Sequence, residues 1–154
     1  ALPALSRLIS GMKSSFLPRS DDTNTMRIIA ISSPHGKDPL YMVRQEETTL
    51  LIGSGFSTTT RAGHLYPTFP DMRLIYSEKD RIRAWILTDA TIDIARFQFI
   101  LPTLGFPPIY APRDVIASFR NSITDATFLD SCRFFELFAD GTSSRRIGDI
   151  ECII

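Results

Sequence analysis

The residues best suited to chemistry follow an apolar, β-branched run in the middle of the chain. That run, Ala-Trp-Ile-Leu-Thr, leads into Asp89, Thr91 and Asp93. The two carboxylates could bind a single metal ion if a distant histidine, His35 or His64, joined them. A simpler interpretation exists for Asp93, because a carboxylate at the start of the next helix would cap that helix. The residues alone leave both interpretations open.

Other candidate sites are weaker. The chain has two histidines, and neither is spaced with a second histidine or a cysteine as in a metal pair. The segments SSPHGK and GSGFSTTT lack the glycine and lysine spacing of a phosphate-binding loop. A Gly-x-Ser-x-Gly nucleophile motif is absent from the sequence. The sequence therefore predicts no nucleotide site and no serine nucleophile.

Composition predicts one soluble, globular domain. The 154 residues are 44% hydrophobic and 22% charged, with 17 basic residues balancing 17 acidic ones. This balance excludes a global field that would attract nucleic acid or a membrane surface. No apolar run approaches the roughly 20 residues of a membrane span. The two cysteines, Cys132 and Cys152, indicate buried free thiols in a reducing compartment, and we expect a cytoplasmic protein.

The elements that must position the candidate residues follow from hydrophobic periodicity. Residues 1–25 are predicted to form an amphipathic helix and a polar linker, and residues 26–154 a layered α/β domain with a mixed sheet. In chain order, the pattern predicts a strand at 26–32, a hairpin turning at 45–47, an irregular stretch containing Pro67 and Pro70, a helical turn near 71–80, a strand at 83–88, a helix at 93–105, a short strand at 107–111, a helix at 112–123, and two final strands in CRFFELF and IGDIECII.

Aromatic residues concentrate in two of these elements, RFQFILPTLGF and CRFFELF. Aromatic side chains interleaved with arginine can stack on single-stranded RNA. Periodicity instead assigns most of them to the core, since Ile94, Phe97, Leu101 and Leu104 share one helical stripe. Gly105 is expected to end that helix.

Three segments carry a resemblance to a known family: residues 26–56, 85–123 and 138–154. A strand ending in Leu87-Thr88 precedes a loop and a helix, and Pro108-Ile109-Tyr110-Ala111 follows at the family spacing. This order resembles the metallo-β-lactamase fold, and within it the ribonuclease J-like (β-CASP type) branch of RNA-processing nucleases. The resemblance implies half of an αββα layered domain. Because the sequence ends on the apolar strand ECII, we also expect that it is a piece of a larger protein or that this strand pairs with another chain.

The resemblance further implies a metal loop, His-x-His-x-Asp-His, directly after the strand. Here the loop reads Asp89-Ala90-Thr91-Ile92-Asp93-Ile94, so only Asp93 matches the family pattern. Isoleucine supplies no donor atom, and Asp89 alone cannot rebuild a two-metal cage. Gly53 stands at the acidic position of the family's Asp-x-Gly turn, and residues around Ala95 and Arg96 replace the small pair that follows the loop.

These observations favour a catalytically inactive member of the fold that binds no metal. Such a protein would be a structural or regulatory partner, as a homodimer or with another protein, and the resemblance implies a function in RNA processing. The N-terminal helix and the last strand are the expected contact surfaces. One alternative is a phosphodiester hydrolase with a rearranged single zinc site that uses Asp89 and Asp93. Another is a binding module for a protein or small ligand, unrelated to RNA.

Overall fold

The computed structural model of the chain describes residues 25–31, 39–88, 93–137, 141 and 144–153. The predicted helix and linker at 1–25 lie outside the described residues apart from Thr25. Residues 89–92 of the predicted metal loop and His35 also lie outside them. Within the described residues, no helix is long and apolar enough to cross a membrane.

Ten strands form in the part of the chain that the structure describes. They are β1 (Arg27–Ile31), β2 (Leu40–Gln45), β3 (Thr48–Ile52), β4 (Ser57–Arg61), β5 (His64–Thr68), β6 (Ile82–Ile86), β7 (Ile109–Ala111), β8 (Phe134–Glu136), β9 (Ser144–Ile147) and β10 (Ile150–Ile153). Six of them make one sheet in the order β1-β2-β3-β6-β7-β8, and two hairpins, β4–β5 and β9–β10, make separate sheets. The predicted mixed α/β class is confirmed.

The central sheet is antiparallel on one side and parallel on the other. Strands β1, β2 and β3 are antiparallel neighbours, whereas β3, β6, β7 and β8 run parallel. The carboxyl ends of the four parallel strands therefore lie at one end of the sheet. In open α/β sheets this is where ligands bind. The loop after β6, in which the sequence places Asp89 and Asp93, begins there.

Helices cover one face of this sheet. They are α1 (Met72–Ser77), α2 (Phe97–Ile100), α3 (Arg113–Ser122) and α4 (Ala126–Ser131). Their apolar side chains join those of the strands in the main core. At its centre the Phe97 ring lies 4.9 Å from Trp85 and 5.3 Å from Phe119, and all three side chains are fully buried. Burying side chains of this size supplies about 2–3 kcal/mol each.

The β9–β10 hairpin covers the middle of the opposite face. Ile147 and Ile150 from the hairpin pack with Val43 and Leu50 of the sheet in a second apolar cluster. The hydroxyl of Thr48 fixes the hairpin turn, because it donates to Asp149 Oδ2 at 2.8 Å and accepts from the Asp149 N–H at 2.9 Å. The sheet is thus enclosed by helices on one side and by a hairpin on the other.

The predicted irregular stretch is wrong, because it contains the β4–β5 hairpin. Ala62 and Gly63 both have positive φ, 49° and 78°, as a tight two-residue hairpin turn requires. The threonine-rich run 57–61 has the β-branched composition of a strand. Pro67 lies within β5, and a two-stranded sheet consists of edge strands, where proline is tolerated.

Three further elements differ from the predictions. The segment 93–105 is a series of short helical pieces interrupted at Pro102, although its predicted stripe is buried and Gly105 ends it at φ 74°. Helix α4 was missed; its signal is Asp125, whose carboxylate accepts from the Phe128 N–H at 3.1 Å. The segment IGDIECII is not one strand, because Gly148 and Asp149 turn it into the β9–β10 hairpin.

Candidate functional site

The candidate site lies at the carboxyl ends of β3 and β6. The loop of residues 53–56 after β3 lies there against the last residues of β6. The Gly53 N–H donates to the Ile86 carbonyl at 2.9 Å, and the Trp85 indole N–H donates to the Gly53 carbonyl at 2.7 Å. These two bonds fix the turn after β3 against the end of β6.

Asp93 does not act as a helix cap. It stands before the helical segment that starts at Ile94, but its side chain makes no capping hydrogen bond. Its Oδ2 instead accepts from Arg96 Nε at 2.9 Å, and the carboxylate remains about half exposed. The carboxylate that the sequence analysis considered as a metal ligand is therefore paired with a cation of its own chain.

Arg96 is the most unusual residue of the site, because it is a buried cation. Besides Asp93, its guanidinium donates to the Ser57 carbonyl at 2.5 Å, to the Thr68 carbonyl at 3.2 Å and to Thr58 Oγ1 at 3.0 Å. Four acceptors thus receive bonds from a group with five N–H donors. Burying a guanidinium is costly unless nearly all of its donors are satisfied, and this network meets that requirement.

Two aromatic rings complete the environment of this guanidinium. The Arg96 Cζ atom lies 5.9 Å from the ring centroids of both Phe56 and Phe69, within the range of cation–π attraction. Phe56 in turn packs edge-on against Phe97 at 4.9 Å. Arg96 therefore joins the β4–β5 hairpin, the 53–56 loop and the start of the helical segment into one packed unit.

The turn after β3 leaves no space for an acidic side chain. Gly53 has φ 89°, and a Cβ atom added there would lie 2.5 Å from the Pro39 carbonyl oxygen. Side chains are strained at that φ, and a contact below 3.0 Å with backbone cannot be relieved by a rotamer change. Asp could replace Gly53 only if the backbone moved. In this conformation the site has no acidic ligand from β3.

The last position of the loop is part of the core. Ile94, at the position where the resemblance predicts a histidine, is 4% exposed and packs in the main core. Among the described residues, no group of three or more His, Cys, Asp or Glu side chains could hold a metal ion. His64 lies exposed on β5, while Asp89 and His35 lie outside the described residues.

The cysteines are not part of this site. Both are free, as the sequence predicted, but each is half-buried and not fully buried. Burial raises the pKa of the Cys132 thiol to about 11, and it also raises the pKa of Cys152. Both thiols therefore stay protonated near neutral pH, which makes them poor nucleophiles and poor metal ligands.

Comparisons with known proteins assign no family. No protein-family model matches the chain, and no curated protein matches it. The function proposed below therefore depends on the geometry of the site itself.

The sequence interpretation identified Asp93 but missed the function of Arg96. The signal was present: an arginine three residues after an aspartate, inside a segment that is otherwise apolar. Such an i,i+3 spacing pairs opposite charges on a helix. The further acceptors come from the β4–β5 hairpin, which the sequence interpretation did not predict, so the burial of Arg96 could not be foreseen.

Proposed function

We propose that this chain is a metal-free member of the metallo-β-lactamase fold and acts as a structural or regulatory partner protein in RNA processing. The observation that carries the proposal is Arg96, a buried cation bound to the one residue of the metal loop that keeps the family's identity. The fold assignment is supported by the mixed six-stranded sheet, which has helices on one face and a hairpin on the other.

Electrostatics argue against a metal ion at Asp93. A zinc ion binds a carboxylate oxygen at about 2.0–2.2 Å. An ion bound to Asp93 would then lie about 5 Å from the guanidinium that already occupies this carboxylate. At an effective dielectric constant of about 20, this repulsion costs roughly 7 kcal/mol. Arg96 cannot lose its proton to relieve the repulsion.

The packing of the site favours a structural function over catalysis. Ile94 points into the core, Gly53 offers no side chain, and Arg96 holds the β4–β5 hairpin in place. Each of these features stabilises the shape of the loop region and removes a position from which a ligand or a base could act. A site whose described residues serve packing more than catalysis is suited to binding another macromolecule.

Elemental analysis tests the metal-free assignment. Protein purified without chelator should contain much less than one zinc ion per chain, and titration with zinc should release no heat from a saturable site. A content of about one or two zinc ions per chain would refute it. So would phosphodiester hydrolysis that depends on an added metal and is lost when Asp89 and Asp93 are both replaced by Ala.

RNA binding is tested separately, by gel shifts at several salt concentrations. Contacts with phosphates would make the affinity fall steeply as salt rises. If RNA does not bind at any salt concentration, the RNA-processing part of the proposal is wrong and the partner function stands alone.

A further inference from the structure

The parallel edge of the central sheet has an incomplete row of side chains. On the face covered by the β9–β10 hairpin, a cross-strand row runs through Ile52, Ile86, Tyr110 and Phe135. Tyr110 and Phe135 stack with centroids 4.8 Å apart and planes 15° apart. The row ends on β8 with Phe135, which is 40% exposed. When an apolar row ends in an exposed ring on an edge strand, a further strand can pair with that edge and cover the ring.

The backbone of β8 is also open on that side. β7 is the sole neighbour of β8 in the part of the sheet that the structure describes. The Arg133 carbonyl and the Leu137 N–H bond to β7. Because backbone groups alternate in direction along a strand, the N–H and C=O groups of Phe134 and Glu136 point to the free edge. These two residues offer two donors and two acceptors to an added strand.

A charged groove runs along the same edge on the helix side. It has a volume of about 700 Å³, and it is lined by Arg113, Ala117, Arg120 and Glu136, among others. In the described residues, no ion pair is formed by these two arginines or by Glu136. The arginines lie seven residues apart on α3, so they project from the same side about 10 Å apart. The groove therefore contains both a cationic side and one acidic residue.

We infer that β8 is the contact surface of a homodimer, in which the β8 strands of two copies pair antiparallel about a two-fold axis at Phe135. In this register Phe135 lies opposite the partner's Phe135, and Phe134 lies opposite the partner's Glu136. The outward backbone groups of Phe134 and Glu136 then form four hydrogen bonds across the axis. The two central sheets would become one continuous sheet.

The side chains in this register complement each other on both faces. On the hairpin side, the two Phe135 rings extend the Tyr110 stack across the axis, since cross-strand neighbours lie about 5 Å apart. On the groove side, the partner's Glu136 lies next to Phe134, at the Arg120 end of the groove. Ala117 is small enough to let the two α3 helices approach. A surface with its own cation and its own matching anion is what an isologous interface requires.

The opposite edge of the sheet does not fit a second copy in this way. Strand β1 carries Arg27 and no acidic residue, so two copies paired there would gain no charge complementarity. The β8 interface does not depend on whether the site at Asp93 binds a metal. Failure of the dimer and failure of the proposed function can thus be distinguished.

Oligomeric state provides the first test. The interface is small, so a weak dimer is expected, and sedimentation velocity of the whole chain from about 1 µM to about 1 mM should show it. Charge reversal by Arg120→Glu or Glu136→Arg should each weaken dimerisation about tenfold or more, because two symmetric pairs become repulsive. The double variant should recover most of the lost affinity. Circular dichroism establishes that each variant is folded.

A disulfide cross-link between two copies provides the second test, and this test does not depend on weakening the dimer. Phe135→Cys should form a covalent dimer on mild oxidation, because cross-strand Cβ atoms at the axis lie near disulfide distance. Phe99→Cys is the matched control, since Phe99 is 73% exposed and lies elsewhere; it should remain mostly monomeric. A monomer at every concentration, a dimer unaffected by both charge reversals, or equal cross-linking of the two cysteine variants would each overturn the inference.

Discussion

Replacing Arg96 by Met tests the central physical argument about the site. Met retains the length and the apolar stem of the side chain but removes every donor. The Ser57 and Thr68 carbonyls and the Thr58 hydroxyl each lose a charge-assisted hydrogen bond. Such a bond contributes about 1.5–3 kcal/mol when it is buried, and about 1 kcal/mol once its acceptor can bind water again.

The individual contributions combine to a measurable loss of stability. The variant loses three hydrogen bonds at about 1 kcal/mol each, two cation–π contacts at about 0.5 kcal/mol each and a half-exposed ion pair at about 0.5 kcal/mol. Together these losses lower the free energy of unfolding by roughly 4–5 kcal/mol. Relief of the desolvation cost of the guanidinium offsets part of this. We expect a net loss of about 3 kcal/mol in the free energy of unfolding, equivalent to a decrease in Tm of about 10 °C.

Urea unfolding monitored by Trp85 fluorescence measures the change, because Trp85 is fully buried next to Phe97. The matched control is Arg83→Met, in which an exposed arginine on β6 is removed. That variant should lie within about 0.5 kcal/mol of the wild type. If Arg96→Met also stays within about 1 kcal/mol, the guanidinium does not hold the site together, and its supposed exclusion of a metal ion loses its basis.

Three further predictions concern the turn after β3, the tether of the hairpin and a thiol. Gly53→Ala should lower the free energy of unfolding by more than about 2 kcal/mol, because φ is positive there and the added Cβ would clash with backbone. Gly63→Ala is the control and should lower it by about 1 kcal/mol, because Gly63 has a similar φ but open space around it. Chemical denaturation measures both variants, and equal losses of stability would contradict the steric argument. Thr48→Val should remove both hydrogen bonds to Asp149 and lower the free energy of unfolding by about 1–2 kcal/mol. Amide hydrogen exchange should become faster selectively in β9 and β10. An equal increase in exchange across the whole molecule would show that Thr48 does not act locally on the hairpin. Cys132, with its pKa raised to about 11 from an ordinary value of 9.0, should react with a disulfide reagent at pH 8 about a hundredfold more slowly than an exposed cysteine. Because folding disfavours its thiolate, stability should fall as pH rises from about 9 to about 11, and Cys132→Ser should remove that part of the pH dependence.

The sequence predicted the central sheet better than its surroundings. Strands such as β2, β3 and β6 have apolar residues buried on both faces, so a plain β-branched run identifies them. The β4–β5 hairpin has no comparable apolar pattern, since its strands are mostly exposed. Its position depends on hydrogen bonds from Arg96, which lies in another part of the chain. Local sequence patterns do not contain that information.

The candidate site shows the same division. The departure of the loop residues and of Gly53 from the pattern of the family that the sequence resembles was visible in the sequence, because it concerns the identity of single positions. The partner of Asp93 could not be predicted from the sequence, because helix capping and metal binding both fit a carboxylate that precedes a helix. Distinguishing them required the position of Arg96 relative to three acceptors on a distant hairpin. Such long-range geometry is set by the tertiary fold.

The close approach of Gly53 to the Pro39 carbonyl has a consequence for the history of such a chain. A single mutation to an acidic residue at this turn would disrupt the backbone before the carboxylate could bind anything, and a cation brought to Asp93 would meet the charge of Arg96. If the chain descends from a metal-dependent enzyme, as the proposed function holds, recovery of the metal site would need several changes at once, each harmful by itself. Selection would then improve binding surfaces more readily than it would restore catalysis.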